Sequence, residues 1–303
     1  MRDRDSLHRF LFEQYPIRGH LVHLDAAWHA LIEHRDYPDA IRDTLGEAVA
    51  ASLLLAATIK FEGVLSLQMQ GDGPVHLMLV QCTSGLGVRG LARYRDDAAG
   101  TLRIGDMIGA GNLTVTLETD EGAQRYQGIV PIAGERLAES LQVYFENSEQ
   151  LPTRLWLHAD AQGASGMLLQ KLPGSGSLPA ADAAAIEDAW RRVQIIADTL
   201  TPVELRTLAD AEILHRLFNE DDLRLFEPSP VYFRCRCSRE RVAGMLQGLG
   251  EVETRGVIAE RGKVEVHCDF CNRAYVFDAV DVEQLFKAPV AADSGSRAGT
   301  RVH

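Results

Sequence analysis

Four of the five cysteines fall into two tight pairs, Cys235-x-Cys237 in "RCRC" and Cys268-x-x-Cys271 in "HCDFC". Two pairs of thiols with a loop between them match the layout of a tetrahedral four-sulfur zinc site. Zn2+ suits such a set because it is redox-inert, accepts sulfur at about 2.3 Å and imposes no directional preference. Four thiolates around one Zn2+ leave a local charge of about −2. Arg234, Arg236, Arg239, Arg241, His267 and Arg273 flank the ligands in sequence and are expected to offset that charge and donate hydrogen bonds. On spacing alone the plainest reading is a closed structural site. Two features add reactivity. Pairing through a single residue makes a tighter chelate than the usual two-residue spacing, and zinc keeps every sulfur as thiolate, the form that oxidants attack. Metal-binding free energy is folding free energy in small modules, so oxidation of the ligands would unfold the module they staple.

Other groups carry less chemistry. Cys82, at the end of an expected strand, reads as a small buried hydrophobe. The histidines show no metal-binding spacing, so His20, His23, His29 and His34 are expected to be scattered surface or satisfied polar groups, with no second metal. "GDG" at 71–73 and "GAGN" at 109–112 lack the endings of phosphate loops and read as turns. Two rival functions remain open on the cysteines alone. A zinc-ribbon nucleic-acid binder would want a basic, aromatic-bearing face, whereas residues 229–288 hold nine acidic against nine basic side chains in a chain of net charge −12. A thiol-disulfide oxidoreductase would place its nucleophile at the opening of a helix, whereas Cys268 closes the strand-like "KVEVHC".

These groups must be held by ordered elements, and a composition 46% apolar and 24% charged is that of a folded globular protein. The opening "MRDRDSLHRFLFEQYP" offers no apolar signal region, and "AVAASLLLAATI" at 48–59 is shorter than the roughly 20 residues of a membrane span. A cytoplasmic protein without membrane partners is expected, in a reducing compartment where clustered cysteines are metal ligands or redox groups. The fold class is α+β, with an α/β core domain over 1–178 and a mainly antiparallel sheet. After Pro38, "DAIRDTLGEAVAASLLLAATIKF" repeats apolar residues at helical steps, predicting that Ile41, Leu45, Val49, Leu53 and Ala56 face the core. Strands are expected near 64–70 and 75–82, joined by an Asp-Gly turn with positive φ. Further strands are read in "LGVRGLARY", "NLTVTLE" and "RYQGIVPI", a helix near "GERLAESLQVYFENSEQ", and a closing hairpin in "TRLWLHADAQGASGMLLQKL".

"PGSGSLP" at 173–179 marks a boundary. Residues 179–228 then carry eleven acidic side chains against five Arg and show no strand-like run, predicting a helical acidic linker. In it "TPVE" opens a helix, with Thr201 as N-cap, Pro202 in the first turn and Glu204 reaching back. Leu205, Leu208, Ala211 and Leu214 are expected to dock the linker on the preceding domain, because isolated helices this short are marginal in water. The module 229–289 is too small to rely on its own core, and 290–303 has the composition of a disordered tail.

The blocks "AASLLLAATIKFEGVLSLQMQGDGP", "YQGIVPI", "YFENSEQLPTRL", "CRCSRER" and "VEVHCDFCNRAYVFDAVDVEQL" resemble the 33 kDa chaperonin family, heat-shock protein 33, over nearly the whole chain. The zinc spacing does not depart from the family pattern. The resemblance implies a client-binding core, a linker lying over it and a zinc-binding redox-switch domain that is inactive while reduced and zinc-bound. It further implies that oxidants would join Cys235 to Cys237 and Cys268 to Cys271, with zinc release and loss of structure in switch and linker. Such a protein would be a holdase without catalytic turnover. It would bind unfolded clients, form a homodimer when oxidised and pass clients to an ATP-dependent foldase.

Overall fold

The computed structural model describes residues 4–95, 103–119, 125–173 and 180–287. Strands β1 (Ser6–Phe12) and β2 (Ile17–Leu24) lead through helix α1 (Ala26–Ile32) into α2 (Asp39–Thr58). Next come β3 (Gly63–Gly71), β4 (Val75–Thr83), β5 (Gly87–Tyr94), α3 (Ile104–Ile108), β6 (Gly111–Thr119) and β7 (Arg125–Pro131). Helix α4 (Leu137–Tyr144) runs on as a π-helical turn, Phe145–Glu149, before the hairpin β8 (Thr153–Asp160) and β9 (Gly163–Lys171). Helices α5 (Ala180–Ala197), α6 (Pro202–Thr207) and α7 (Asp210–Phe218) and the short strands β10 (Leu223–Leu225), β11 (Ser229–Pro230) and β12 (Tyr232–Phe233) complete the first of two compact units, residues 1–235. The second unit, 236–303, contains α8 (Arg239–Leu249), α9 (Glu251–Arg261), β13 (Val264–His267), β14 (Ala274–Phe277) and α10 (Ala279–Lys287). The sequence-predicted tail and most of the "PGSGSLP" boundary lie outside the described residues.

The first unit is built on two six-stranded sheets, ordered β10-β1-β2-β9-β8 with β11 also on β1, and β12-β5-β4-β3-β6-β7. Their pairings are antiparallel apart from β12, which runs parallel to β5. Helix α2 packs against strands of both sheets, so its burial extends beyond the expected face to Ala48, Ala50, Ala51, Ser52 and Leu54. Alanines let the sheets come close, and Ser52 satisfies its buried hydroxyl by donating to the Ala48 carbonyl at 2.7 Å. At Gly46 the helix comes close to β8. A Cβ there would fall 2.4 Å from the Ala159 methyl.

The β3–β4 hairpin forms where expected, but neither Asp72 nor Gly73 adopts positive φ. The turn is shaped by the other glycine-rich stretch instead. Gly73 N–H donates to the Ile108 carbonyl at 2.8 Å, Asp72 Oδ1 accepts from Ala110 N–H at 2.7 Å, and the positive φ is that of Gly109, at 74°.

Helices α5 to α7 cover the other face of the first sheet. Phe10, Leu21 and Met167 from the strands meet Trp190, Val193 and Phe218 from the helices in a second apolar cluster. Strand β2 is therefore buried on both faces, which is why "IRGHLVHL" shows no alternation. Thr201 caps α6 as expected, its hydroxyl accepting from Glu204 N–H while the Glu204 carboxylate accepts from Thr201 N–H. Leu205 and Leu214 are buried, but Ala211 is exposed and Ile213, Leu217 and Phe218 dock in its place. The helix breaks at Leu208–Ala209, so the apolar period restarts with α7 rather than continuing through it. Nor is the segment free of strands, since Leu223–Leu225 pairs with β1.

Two histidines expected to be scattered are buried. His20 is 1% exposed, and burial, with Arg18 and Arg9 nearby, pushes its imidazole down to about 3. The β1–β2 register sets Ser6 opposite His23 and His8 opposite Leu21, so His8 and His23 are diagonal neighbours on one face. Both reach Asp210, the first residue of α7, with His8 Nδ1 at 2.5 Å and His23 Nε2 at 2.7 Å from its carboxylate oxygens. Burial alone would raise the Asp210 pKa. The hydrogen bonds and charge of His23 and His8 overcome it and hold the carboxyl down at about 2. Beside this cluster Arg206 of α6 meets Asp25 at 2.9 Å, and Arg4 meets the same carboxylate at 2.6 Å. No helix among the described residues is long and apolar enough to cross a membrane.

Candidate metal centre

In the second unit β13 and β14 form a two-stranded antiparallel sheet, with Val266 opposite Tyr275 and His267 opposite Ala274. The turn between them carries Cys268 and Cys271. Cys268 N–H donates to the Arg273 carbonyl at 3.0 Å and Asn272 N–H returns to the Cys268 carbonyl at 2.8 Å. Asn272 sits in the left-handed region, φ 54°, which its short polar side chain tolerates. The hairpin thus folds the Cys-x-x-Cys segment back so that both sulfurs face one way. Cys235 and Cys237 lie in an irregular run after β12, ended by Ser238, whose Oγ caps α8 by accepting from Arg241 N–H at 3.3 Å.

The four sulfurs lie within 4.8 Å of one another, and Cys237 Sγ is 3.4 Å from Cys271 Sγ. None is in a disulfide. A tetrahedron with metal–sulfur bonds of about 2.3 Å has sulfur–sulfur edges of about 3.8 Å, so the donor set fits Zn2+ in number, element and spacing. All four residues that the sequence singled out are brought together. Cys82 is not among them. It is fully buried in the first unit, where burial pushes its thiol up to about 12, the behaviour of an inert core residue.

Three of the flanking cations, Arg239, Arg241 and His267, have partners within the second unit. Arg239 meets Asp281 at 2.8 Å and lies 4.2 Å over the Phe277 ring, while His267 meets Glu265 at 3.1 Å. Arg241 donates to the Arg236 carbonyl at 2.8 Å, fixing the chain beside Cys237. A contact that the sequence did not single out is Tyr275, whose hydroxyl donates to Cys237 Sγ at 3.1 Å. The hydrogen bond to Cys237, with burial, pushes the phenol up to about 12. The available signal was its place in "AYVF", four residues past Cys271 on an alternating strand. A small cluster of Val242, Leu246, Val264, Tyr275, Phe277 and Val282 is the apolar core of this unit, with Cys237 and Cys268 packed against it.

Comparison with known proteins covers the fold and the site together. The family model described as Hsp33 protein matches residues 5–278. The chain is 48% identical over 297 residues to a 33 kDa chaperonin of Nitrosococcus oceani, covering 96% of this chain and 99% of that protein. It is 46% identical over 291 residues to a 33 kDa chaperonin of Methylobacillus flagellatus, covering 96% and 97% respectively. A crystal structure of the 33 kDa chaperonin of Thermotoga maritima has a similar fold, with TM-score 0.77 at 22% identity over 94% of this chain and 98% of that one.

Proposed function

The chain belongs to the Hsp33 family, whose relatives are named chaperonins, and from that premise we propose that it is a redox-regulated holdase that keeps unfolding proteins from aggregating under oxidative stress. The observation that carries this reading is the gathering of Cys235, Cys237, Cys268 and Cys271, the last three of them in a small unit with few other means of staying folded. Bound at these sulfurs, zinc would supply the cross-link that holds Cys235 and Cys237 to the β13–β14 turn. In that state the linker, 179–228, stays docked and the protein is silent. Oxidation would join Cys235 to Cys237 and Cys268 to Cys271, so the sulfurs cease to be ligands and the switch domain, 229–289, loses its staple.

The segment between Cys235 and α7 consists of short strands, so loss of order can pass along it to the linker. Departure of α5 to α7 would bare Phe10, Leu21 and Met167 on the core domain, 1–178, and the apolar faces of the helices themselves. Large exposed apolar surfaces bind other apolar surfaces, and unfolding clients supply them. The same surfaces account for a homodimer in the oxidised state, with clients later passed to an ATP-dependent foldase. The work is binding, without catalytic turnover, in the cytoplasm and without nucleic-acid or membrane partners. The test follows light scattering of a chemically unfolded client with the reduced, zinc-loaded protein and again after peroxide, while released zinc is measured. Suppression of scattering only after peroxide, together with zinc release, is the expected result. Equal protection in both states would sink the switch.

A further inference from the structure

We propose that Tyr275 is a brake on the oxidation of Cys237, its hydroxyl holding this sulfur back while it remains in the cluster. The inference rests on the redox reading above and names a residue that regulates it. Cys235, Cys237 and Cys268 are all partly exposed, whereas Cys271 is 8% exposed. Accessibility therefore does not set Cys237 apart from Cys235 or Cys268. The Tyr275 hydroxyl, 3.1 Å from Cys237 Sγ, acts on its chemistry instead. A hydrogen bond donated to a thiolate draws on the lone pair that attacks an oxidant, and hydrogen bonds to charged acceptors are among the stronger ones.

The donor is held firmly. Tyr275 is 7% exposed, paired opposite Val266 and packed in the core of the unit, and the Arg273 guanidinium lies 5.8 Å from its ring centre. The ring is thus fixed by packing that does not depend on its oxygen.

The step it opposes is the attack of the Cys237 thiolate on one oxygen of a peroxide. The O–O bond breaks, a sulfenic acid forms on sulfur and hydroxide leaves. A second thiolate then attacks that sulfur, the S–O bond breaks, a second hydroxide leaves and the disulfide forms. The two electrons lost by the sulfurs go to the peroxide. Slowing the first of these events at Cys237 lets the protein meet a brief pulse of oxidant without losing this ligand.

The experiment compares full-length, reduced, zinc-loaded wild type with Tyr275→Phe under limiting hydrogen peroxide. Samples are quenched by alkylation, oxidation at each cysteine is read by mass spectrometry, and released zinc is followed with a chromogenic chelator. The expected result is a roughly three- to tenfold faster loss of the Cys237 thiol in Tyr275→Phe, with the other sulfurs changed less than about twofold. Equal Cys237 rates in the two proteins would overturn the proposal. So would uniform acceleration of all four sulfurs with weaker zinc retention before peroxide is added, because that pattern assigns Tyr275 to packing alone. A wild type in which none of the four sulfurs oxidises would overturn the redox reading beneath it as well.

Discussion

Asp210 is the residue on which the docking of α7 turns, because its charge is buried between two histidines of the opposite sheet. Asp210→Asn keeps the shape and removes the charge. The imidazoles of His8 and His23 then face an amide, and the expected loss is on the order of 2 kcal/mol. It should appear as faster hydrogen exchange in α7 while the amides of β3 and β6 keep their protection. Acid acts on the same carboxyl. Its pKa lies at about 2 in the folded protein against an ordinary 3.8, so its contribution is present above about pH 4 and is lost as pH falls through 2.

His20 acts earlier on the way down. Its folded pKa is about 3 against an ordinary 6.5, so between those values the unfolded chain binds the extra proton and stability falls with pH. Between pH 6.5 and 4.5 the wild type should lose about 2 to 3 kcal/mol more than His20→Asn, measured by denaturant unfolding of both at each pH. None of this polar cluster was legible in the sequence. His8, His23 and Asp210 are joined by sheet register and by a helix that returns far along the chain. The four cysteines were legible because their spacing is local and their chemistry admits few other uses.

At the scale of elements, the seam between the first sheet and α5 to α7 is apolar and continuous. Val193 of α5 is fully buried in it, whereas Ile195, two positions on, is 62% exposed. Val193→Glu should place an unpaired carboxylate in the seam and cost about 3 kcal/mol or more, releasing the helices. Ile195→Glu should stay within about 0.5 kcal/mol of wild type. The comparison is made by dye binding to exposed apolar surface and by client light scattering without oxidant. Val193→Glu is expected to bind dye and protect client while its zinc is still bound, and Ile195→Glu to do neither. Elements with one solvated face or strong periodicity, such as α2 and β3 to β8, could be read from the sequence, and β9, buried on both faces, could be read only as the return strand of a hairpin with β8. β1 and β2 could not, because charged residues interrupt the first and helices cover both faces of the second. The three residues of β10 are too few to carry a pattern.

The two units of the molecule differ in what keeps them folded. Residues 1–235 hold an extensive apolar core around α2 and a second cluster beneath α5 to α7, whereas the described residues of the second unit, 236–287, hold one cluster of six buried apolar residues beside the sulfurs of Cys237, Cys268 and Cys271. A domain of that size is marginal without a staple. On the proposed zinc site, Cys268→Ser would leave three sulfur ligands, and a chelator would remove the metal altogether. Either should unfold the second unit and spare the first, because metal binding supplies free energy of the same order as the folding of such a module.

How far that unfolding reaches into the linker depends on the chain between Cys235 and α7. There β12 and β11 are two-residue strands and β10 has three residues, each held by a few backbone hydrogen bonds at a sheet edge. Such edges open at small cost, whereas α7 is held by Leu214, Leu217, Phe218 and the Asp210 cluster. Hydrogen exchange on Cys268→Ser should therefore be graded. Protection should vanish in α8, β13 and β14, fall strongly in β10 to β12, fall in part in α5 to α7 and persist in β3 to β6. Wild-type protection at β10 to β12 with the second unit unfolded would break this route, and the sulfur switch would then have no path along the chain to the linker it is proposed to release.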